Sequence, residues 1–258
     1  MAITNSRLLG ALIGCLPADV AGSLIKARVL TTHFSKGSVL ALNAILVDSP
    51  AALTEGFPDE TVNIISQGLA HSQPYISDNC VLAAGKYLLS EKSNKTFDHT
   101  KPLFEALAPI IEPGHSADTR RLALVVLRTV ARQHNELVRP HVALFTGPVF
   151  ASVRDPVIPI KLSAEAAFLA IFSVVDEGSE VFDKYMAGPG KNMSAGQQRS
   201  MGDYFKRVAL RLAGQARERK EAEGGAGGLG LSSDEMEDER EVWSVGMVEL
   251  TDVFGDDN

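Results

Sequence analysis

RDPVIPIKLSAEAAFLAIF, residues 154–172, sets two prolines, an acid and a lysine ahead of a nearly unbroken apolar run. Asp155 and Lys161 have the chemistry of an acid–base pair. Pro156 and Pro159 have the conformational habits of a turn, because proline fixes its own backbone and donates no hydrogen bond. Laying the stretch over the rest of the chain decides between a reactive site and a joint.

Four segments align with one another: SVLALNAIL from Ser38, CVLAAGKYL from Cys80, RRLALVVLR from Arg120 and KLSAEAAFL from Lys161. The fourth residue of each is alanine, at Ala41, Ala83, Ala123 and Ala164, with separations of 42, 40 and 41. One helical turn further on stand Ile45, Tyr87, Leu127 and Phe168. A small residue followed at i+4 by a large apolar one lets two helices approach and then interlock. Pro74, Pro113 and Pro156 precede three of the alanines, and Ser35, Ser77, Ser116 and Asp155 are candidate caps. Each turn follows a partner helix, so the unit is helix, turn, helix. The spacing predicts antiparallel pairs near 17–49, 58–91, 99–134 and 138–175. A period near 41 points to HEAT or armadillo-type repeats, and two helices per unit without a third short one favours HEAT. Asp155 and Pro156 are therefore read as a joint, with Asp155 and Lys161 as an ion pair inside one repeat.

The expected architecture is all-α. A HEAT-type α-solenoid of about four helix pairs fills 1–188, a C-terminal helix 189–223, and a disordered Gly-rich and acidic tail 224–258. A short helix is expected at SEVFDKYM, 179–186, and a longer one at 197–222 whose apolar set is Met201, Phe205, Val208 and Leu212. RLLGALIGCL, residues 7–16, resembles a lipoprotein cleavage box, but its single arginine is too weak a basic region. It reads better as a first helix, capped by Thr4 or Asn5 and stopped by Pro17.

The composition supports this. Hydrophobic residues make up 45% and aromatics only 6%, a mix suited to helices packed through small and branched side chains. No apolar run is long enough to span a membrane. With only Cys15 and Cys80, neither a disulfide framework nor a zinc cluster is expected, which suits a reducing compartment.

Motifs for chemistry are absent or out of context. The literal GxGxxG at 225–230 follows a charged helix and precedes an acidic run, where a dinucleotide site needs a strand and then a helix. AGPGKNM, 187–193, lacks the first glycine and the hydroxyl residue of a phosphate loop. His134 and His141 have no third ligand, and Cys80 lies on an inward helix face. No HExxH, CxxC or GxSxG occurs. The chain is expected not to be an enzyme and to need no metal or cofactor.

The charge is uneven. The net −7 divides into −9 over residues 233–258 and +2 over the remainder. Between 120 and 161, Arg120, Arg121, Arg128, Arg132, Arg139, Arg154 and Lys161 stand against only Glu136 and Asp155. Arg121, Arg128 and Arg132 share one helix face, so these cations are read as a basic ridge for phosphates or an acidic partner. No aromatics interleave with them in sequence, so base readout is not suggested. The acidic tail is read either as a solubilising segment that touches nothing or as a shield for the ridge, anchored by Trp243.

The same residues carry a resemblance. SVLALNAILVDSP, ISDNCVLAAGKYLLSE, DTRRLALVVLRTV, VFASVRDPVIPIKLSAEAAFLA and DYFKRVALRLAGQARERKEAEGGAGGLGL resemble the extreme C-terminal region of the fungal general-control translational activators, a family of very large HEAT-repeat proteins. The resemblance implies a cytoplasmic, non-enzymatic scaffold. Such a scaffold binds translating or collided ribosomes and supports the starvation-responsive kinase that phosphorylates an initiation factor. The family's elongation-factor-like repeats and kinase-docking segment lie upstream and have no counterpart here. Expected partners are thus the ribosome and its RNA phosphates, neighbouring upstream HEAT repeats, and the kinase only through those other segments. The competing reading is a free-standing helical adaptor for a transport or cytoskeletal partner.

Overall fold

The computed structural model describes residues 2–90 and 97–173, and between 191 and 207 residues 191, 194–196, 198–200, 202–204 and 207. Among them there is no β-strand. A first helix, α1 (Ala2–Ile13), precedes α2 (Ala18–Arg28) and α3 (Lys36–Asp48). Then come α4 (Ala51–Thr54), α5 (Pro58–Leu69), α6 (Pro74–Ser90) and α7 (Phe97–Leu107), which runs into a 3-10 turn at Ala108–Ile111. The series continues with α8 (Ala117–Gln133), α9 (Asn135–Val138), α10 (Val142–Ser152) and α11 (Ile158–Ser173).

Partner helices in direct contact are α5 with α6 and α10 with α11, while α8 packs on the 3-10 turn that ends α7. Helices α1, α3, α6, α8 and α11 stack side by side as one layer. On the other layer α5 packs on α7, and the 3-10 turn on α10. The four register alanines lie in the first layer, all buried, with Ile45, Tyr87, Leu127 and Phe168 buried one turn beyond. A helix flanked by two neighbours and covered by a partner must be apolar nearly all round. That is why α6 buries Cys80, Val81, Leu82, Ala83 and Ala84 in succession.

The ends of the helices follow local chemistry. Ser35 caps α3 in a reciprocal box: its hydroxyl accepts from Ser38 N–H at 3.0 Å, and Ser38 Oγ accepts from Ser35 N–H at 2.9 Å. Ser116 caps α8 by accepting from Thr119 N–H. Pro58 opens α5, followed by Asp59 and Glu60 at the positive end of the helix dipole. Gly114, with φ of 139°, makes the turn into α8.

Three expectations need correction. Ser77 is not a cap: it lies inside α6, and its hydroxyl donates to the Leu69 carbonyl at 3.0 Å, tying partner helices together. The first helix begins at Ala2, so Thr4 and Asn5 are within it. One-turn helices α4 and α9 do stand before α5 and α10, where the period alone showed only two helices per unit. The helix at 179–186, the residues Met201, Phe205, Val208 and Leu212, and the tail 224–258 lie outside the described residues; 198–200, 202–204 and 207 are helical.

Every seam of the stacked layer carries its own polar tie. Ser49 Oγ donates to the Gly10 carbonyl at 3.2 Å between α3 and α1. Asn43 Nδ2 donates to the Asn79 carbonyl at 2.9 Å between α3 and α6, and Lys86 Nζ donates to Asn43 Oδ1 at 3.0 Å. Thr119 Oγ1 donates to Asp78 Oδ1 at 2.6 Å between α8 and α6. Arg120 reaches Asp155 at the entrance to α11. A buried polar group must find its partner, so each tie fixes the register of one helix against the next.

Close approach also relies on glycine. A Cβ on Gly10 would lie 2.8 Å from the Ala44 carbonyl oxygen, and one on Gly68 would lie 2.2 Å from Cys80 Sγ. The outward face of α1 is left apolar, with Leu8 64% and Leu12 49% exposed.

Candidate partner-binding surface

The proposed ridge residues separate into two groups. Arg120 is 8% exposed and Arg128 is 3% exposed, so neither faces solvent. The repeat register explains Arg128. Five residues after each alanine stand Leu46, Leu88, Arg128 and Leu169, and the two leucines before it are buried. Two residues before each alanine stand Val39, Val81, Arg121 and Leu162; Arg121 is half-buried where the valines are fully so. The shared helix face of Arg121, Arg128 and Arg132 is therefore a packing face carrying arginines, not a solvated ridge.

Arg120 is a structural clamp. Its Nε–H donates to the Ile111 carbonyl at 3.0 Å, and its Nη2 lies 2.6 Å from Asp155 Oδ2, with both side chains under a tenth exposed. Asp155 uses its other oxygen to accept from Val157 N–H at 2.9 Å. Asp155 is therefore paired across the seam with Arg120, not with Lys161 in its own repeat as the sequence suggested. Its carboxyl is held below the usual aspartate range, first by the Val157 N–H, against opposing burial, and then by the Arg120 hydrogen bond and charge.

Lys161 is exposed, as are Arg139 and Arg154. Lys161→Ala is expected to shift unfolding free energy by no more than about 0.5 kcal/mol, as exposed substitutions generally do. Denaturant melts check this.

The sequence missed an aromatic group beside these cations. Arg154 lies over the Phe150 ring at 5.2 Å, and Arg207 over Tyr204 at 5.8 Å. Tyr204 in turn meets Phe150 edge-on at 5.6 Å and Phe168 at 5.1 Å. A guanidinium on an aromatic face is held in place while its edge stays free to bind an anion. The signal was hidden because Phe150 and Tyr204 are 54 residues apart. Lys191 and Arg199 are also exposed. Between α7 and α10, by contrast, the surface groove is rimmed by Glu105 and Glu112 and would repel phosphate. Beside it, burial lowers the pKa of His141, against the raising effect of Glu105.

Cys80 is fully buried and its thiol is pushed up to about 12 by burial. His134 meets Glu136 at 3.3 Å. Among the described residues no group of three His, Cys, Asp or Glu could hold a metal ion, and no helix is long and apolar enough to cross a membrane. Trp243 lies outside the described residues.

The geometry agrees with comparisons to known proteins. Residues 35–184 match the family described as GCN1-like, C-terminal HEAT repeats. The eIF-2-alpha kinase activator GCN1 of Saccharomyces cerevisiae is 36% identical over 282 aligned positions, covering 97% of this chain and 10% of that protein. Protein ILITYHIA of Arabidopsis thaliana is 24% identical, covering 59% of this chain and 6% of its own length. The chain thus spans about a tenth or less of the curated relatives it matches. A computationally designed armadillo repeat protein for modular peptide recognition shares the fold, with a TM-score of 0.55 at 15% identity over 81% of this chain and 91% of that one.

Proposed function

The chain belongs to the family of GCN1-like C-terminal HEAT repeats, and from that premise we propose that it is a non-enzymatic scaffold segment of a ribosome-associated translational activator. It acts in the cytoplasm during amino-acid starvation and supports activation of the kinase that phosphorylates an initiation factor. The observation that carries this reading is the family match over the stacked pairs, joined to the exposed cations Arg139, Arg154 and Lys161 of the last pair. Those cations contact phosphates of ribosomal RNA, while Arg120 and Arg128 serve the array itself. The outward apolar face of α1 continues the stacked layer, and its occupant is another helical repeat.

Ribosome co-sedimentation tests the phosphate contact. If three cations each engage a phosphate, log affinity should fall against log salt with a slope of about −2 to −3. Replacing Arg139, Arg154 and Lys161 together by glutamate should abolish most of the binding and flatten that slope, with helicity unchanged because all three are exposed. Equal binding by the variant and the original chain would remove the ribosomal RNA contact. In cells, the same triple change within the full-length activator should lower initiation-factor phosphorylation on starvation.

A further inference from the structure

The first turns of α11 present an uncovered apolar face at the end of the array. Val157 is 39%, Ile158 67% and Leu162 58% exposed. Ile158 and Leu162 are one helical turn apart and point the same way. Arg154 precedes them and Lys161 lies between them, both exposed. Of the nearby acids, Asp155 is engaged by Arg120 and the Val157 N–H, and Glu165 is half-buried. The patch is thus apolar at its centre and positive at its rim.

The same chain carries a segment of the opposite kind. Residues 234–241, DEMEDERE, hold six acids and one arginine, and 242–254, VWSVGMVELTDVF, hold eight apolar residues with two more acids. We propose that residues 234–254 dock in cis on the Arg154–Val157–Ile158–Lys161–Leu162 face, with Trp243 and its apolar neighbours over Ile158 and Leu162 and the acids toward Arg154 and Lys161.

Charge complementarity favours this occupant over an unrelated apolar partner, because both halves of the segment find their counterpart within one patch. Five of the seven residues 224–230 are glycine. The glycine-rich connection 224–233 spans on the order of 17 Å as a coil, the width of about two helices packed at about 9 Å. A tethered segment meets its site at an effective concentration up to the millimolar range, so modest affinity suffices. Arg154 belongs both to this patch and to the phosphate-contacting surface, so docking and ribosomal RNA binding exclude one another. The docking itself does not depend on the ribosome reading.

Trp243 is the single tryptophan of the chain, which makes its fluorescence a direct probe. In the full chain its emission should lie to the blue of free tryptophan, resist acrylamide quenching and stay unchanged on dilution. Ile158→Asp with Leu162→Asp should move emission to the free position and restore full quenching. Arg154→Glu with Lys161→Glu should do the same through charge alone. These side chains are exposed, so far-ultraviolet circular dichroism should be identical in all variants. Free-tryptophan emission from the unaltered chain, or blue emission that both variants retain, would overturn the proposal. A blue shift that disappears on dilution would overturn it in favour of docking on a second copy.

Discussion

Arg120→Ala should lower the unfolding free energy of the array by about 3 kcal/mol, and Arg120→Lys should recover less than half of the loss. The guanidinium spans two acceptors on different elements, the Ile111 carbonyl and Asp155 Oδ2. Removing one side of a buried charged pair strands the other, and such losses run to about 3–5 kcal/mol. The lower end applies because Asp155 keeps its bond from the Val157 N–H. Lysine offers one point charge and no fork, so it cannot satisfy both acceptors in their fixed geometry. The pH dependence carries a sign. The folded carboxyl of Asp155 titrates below its ordinary value, so its contribution is complete above the unfolded aspartate value of about 3.9. It is lost as pH falls through the depressed folded value. Asp155→Asn should therefore be less stable than the original chain at neutral pH, and the gap should close as pH falls below the unfolded aspartate value of about 3.9. Denaturant midpoints across that range give the result; a gap that widened on acidification would contradict the clamp.

Gly68→Ala should cost about 3 kcal/mol, a large effect for one methyl group. A Cβ at this position would stand 2.2 Å from Cys80 Sγ, 3.2 Å from Cys80 Cβ and 3.0 Å from the Phe34 ring. Cys80 is itself fully buried between Ala83, Ala84 and their neighbours, so the sulfur has nowhere to move. Overpacking of this kind costs about 1–3 kcal/mol and more where neighbours are rigid. The companion experiment is Gly68→Ala with Cys80→Ala, which removes the sulfur and leaves only the two contacts at 3.0 Å or longer. The double variant should be more stable than Gly68→Ala alone, a coupling that only residues in contact produce. Strict additivity would mean that α5 and α6 do not cross here.

Much of this fold was legible because the period is carried by residues whose role is steric. Alanine followed by a large apolar residue at i+4 means close packing wherever it recurs, and Ala41, Ala83, Ala123 and Ala164 are all buried. The cations were not legible from charge alone. Arg120 occupies the register of Ser38, Cys80 and Lys161, which are half-buried, buried and exposed in turn. What decides among those outcomes is whether the next repeat offers a partner, and Asp155 is distant in sequence. Arg128 could have been placed inward by the repeat itself, since Leu46 and Leu88 hold its position earlier. The aromatic group beside Arg154 was hidden for a different reason, because Tyr204 comes from beyond the last pair. The glycine at position 10 gave no periodic signal, since it lies ahead of the first of the four aligned segments.

The polar ties between successive helices make the order of the units part of the information in the chain. Ser49 with Gly10, Asn43 with Asn79, Thr119 with Asp78 and Arg120 with Asp155 are four different pairings, two ending on backbone carbonyls and two on carboxylates. Arrays built from one consensus unit can be lengthened, shortened or permuted, because every boundary is the same. Here the boundaries are like differently cut keys. Excising one 41-residue unit would bring Arg120 or Thr119 against a neighbour with no matching carboxylate, although every alanine would still fall in register. Swapping units would preserve the shape of the layer and lose its sequence-encoded addresses.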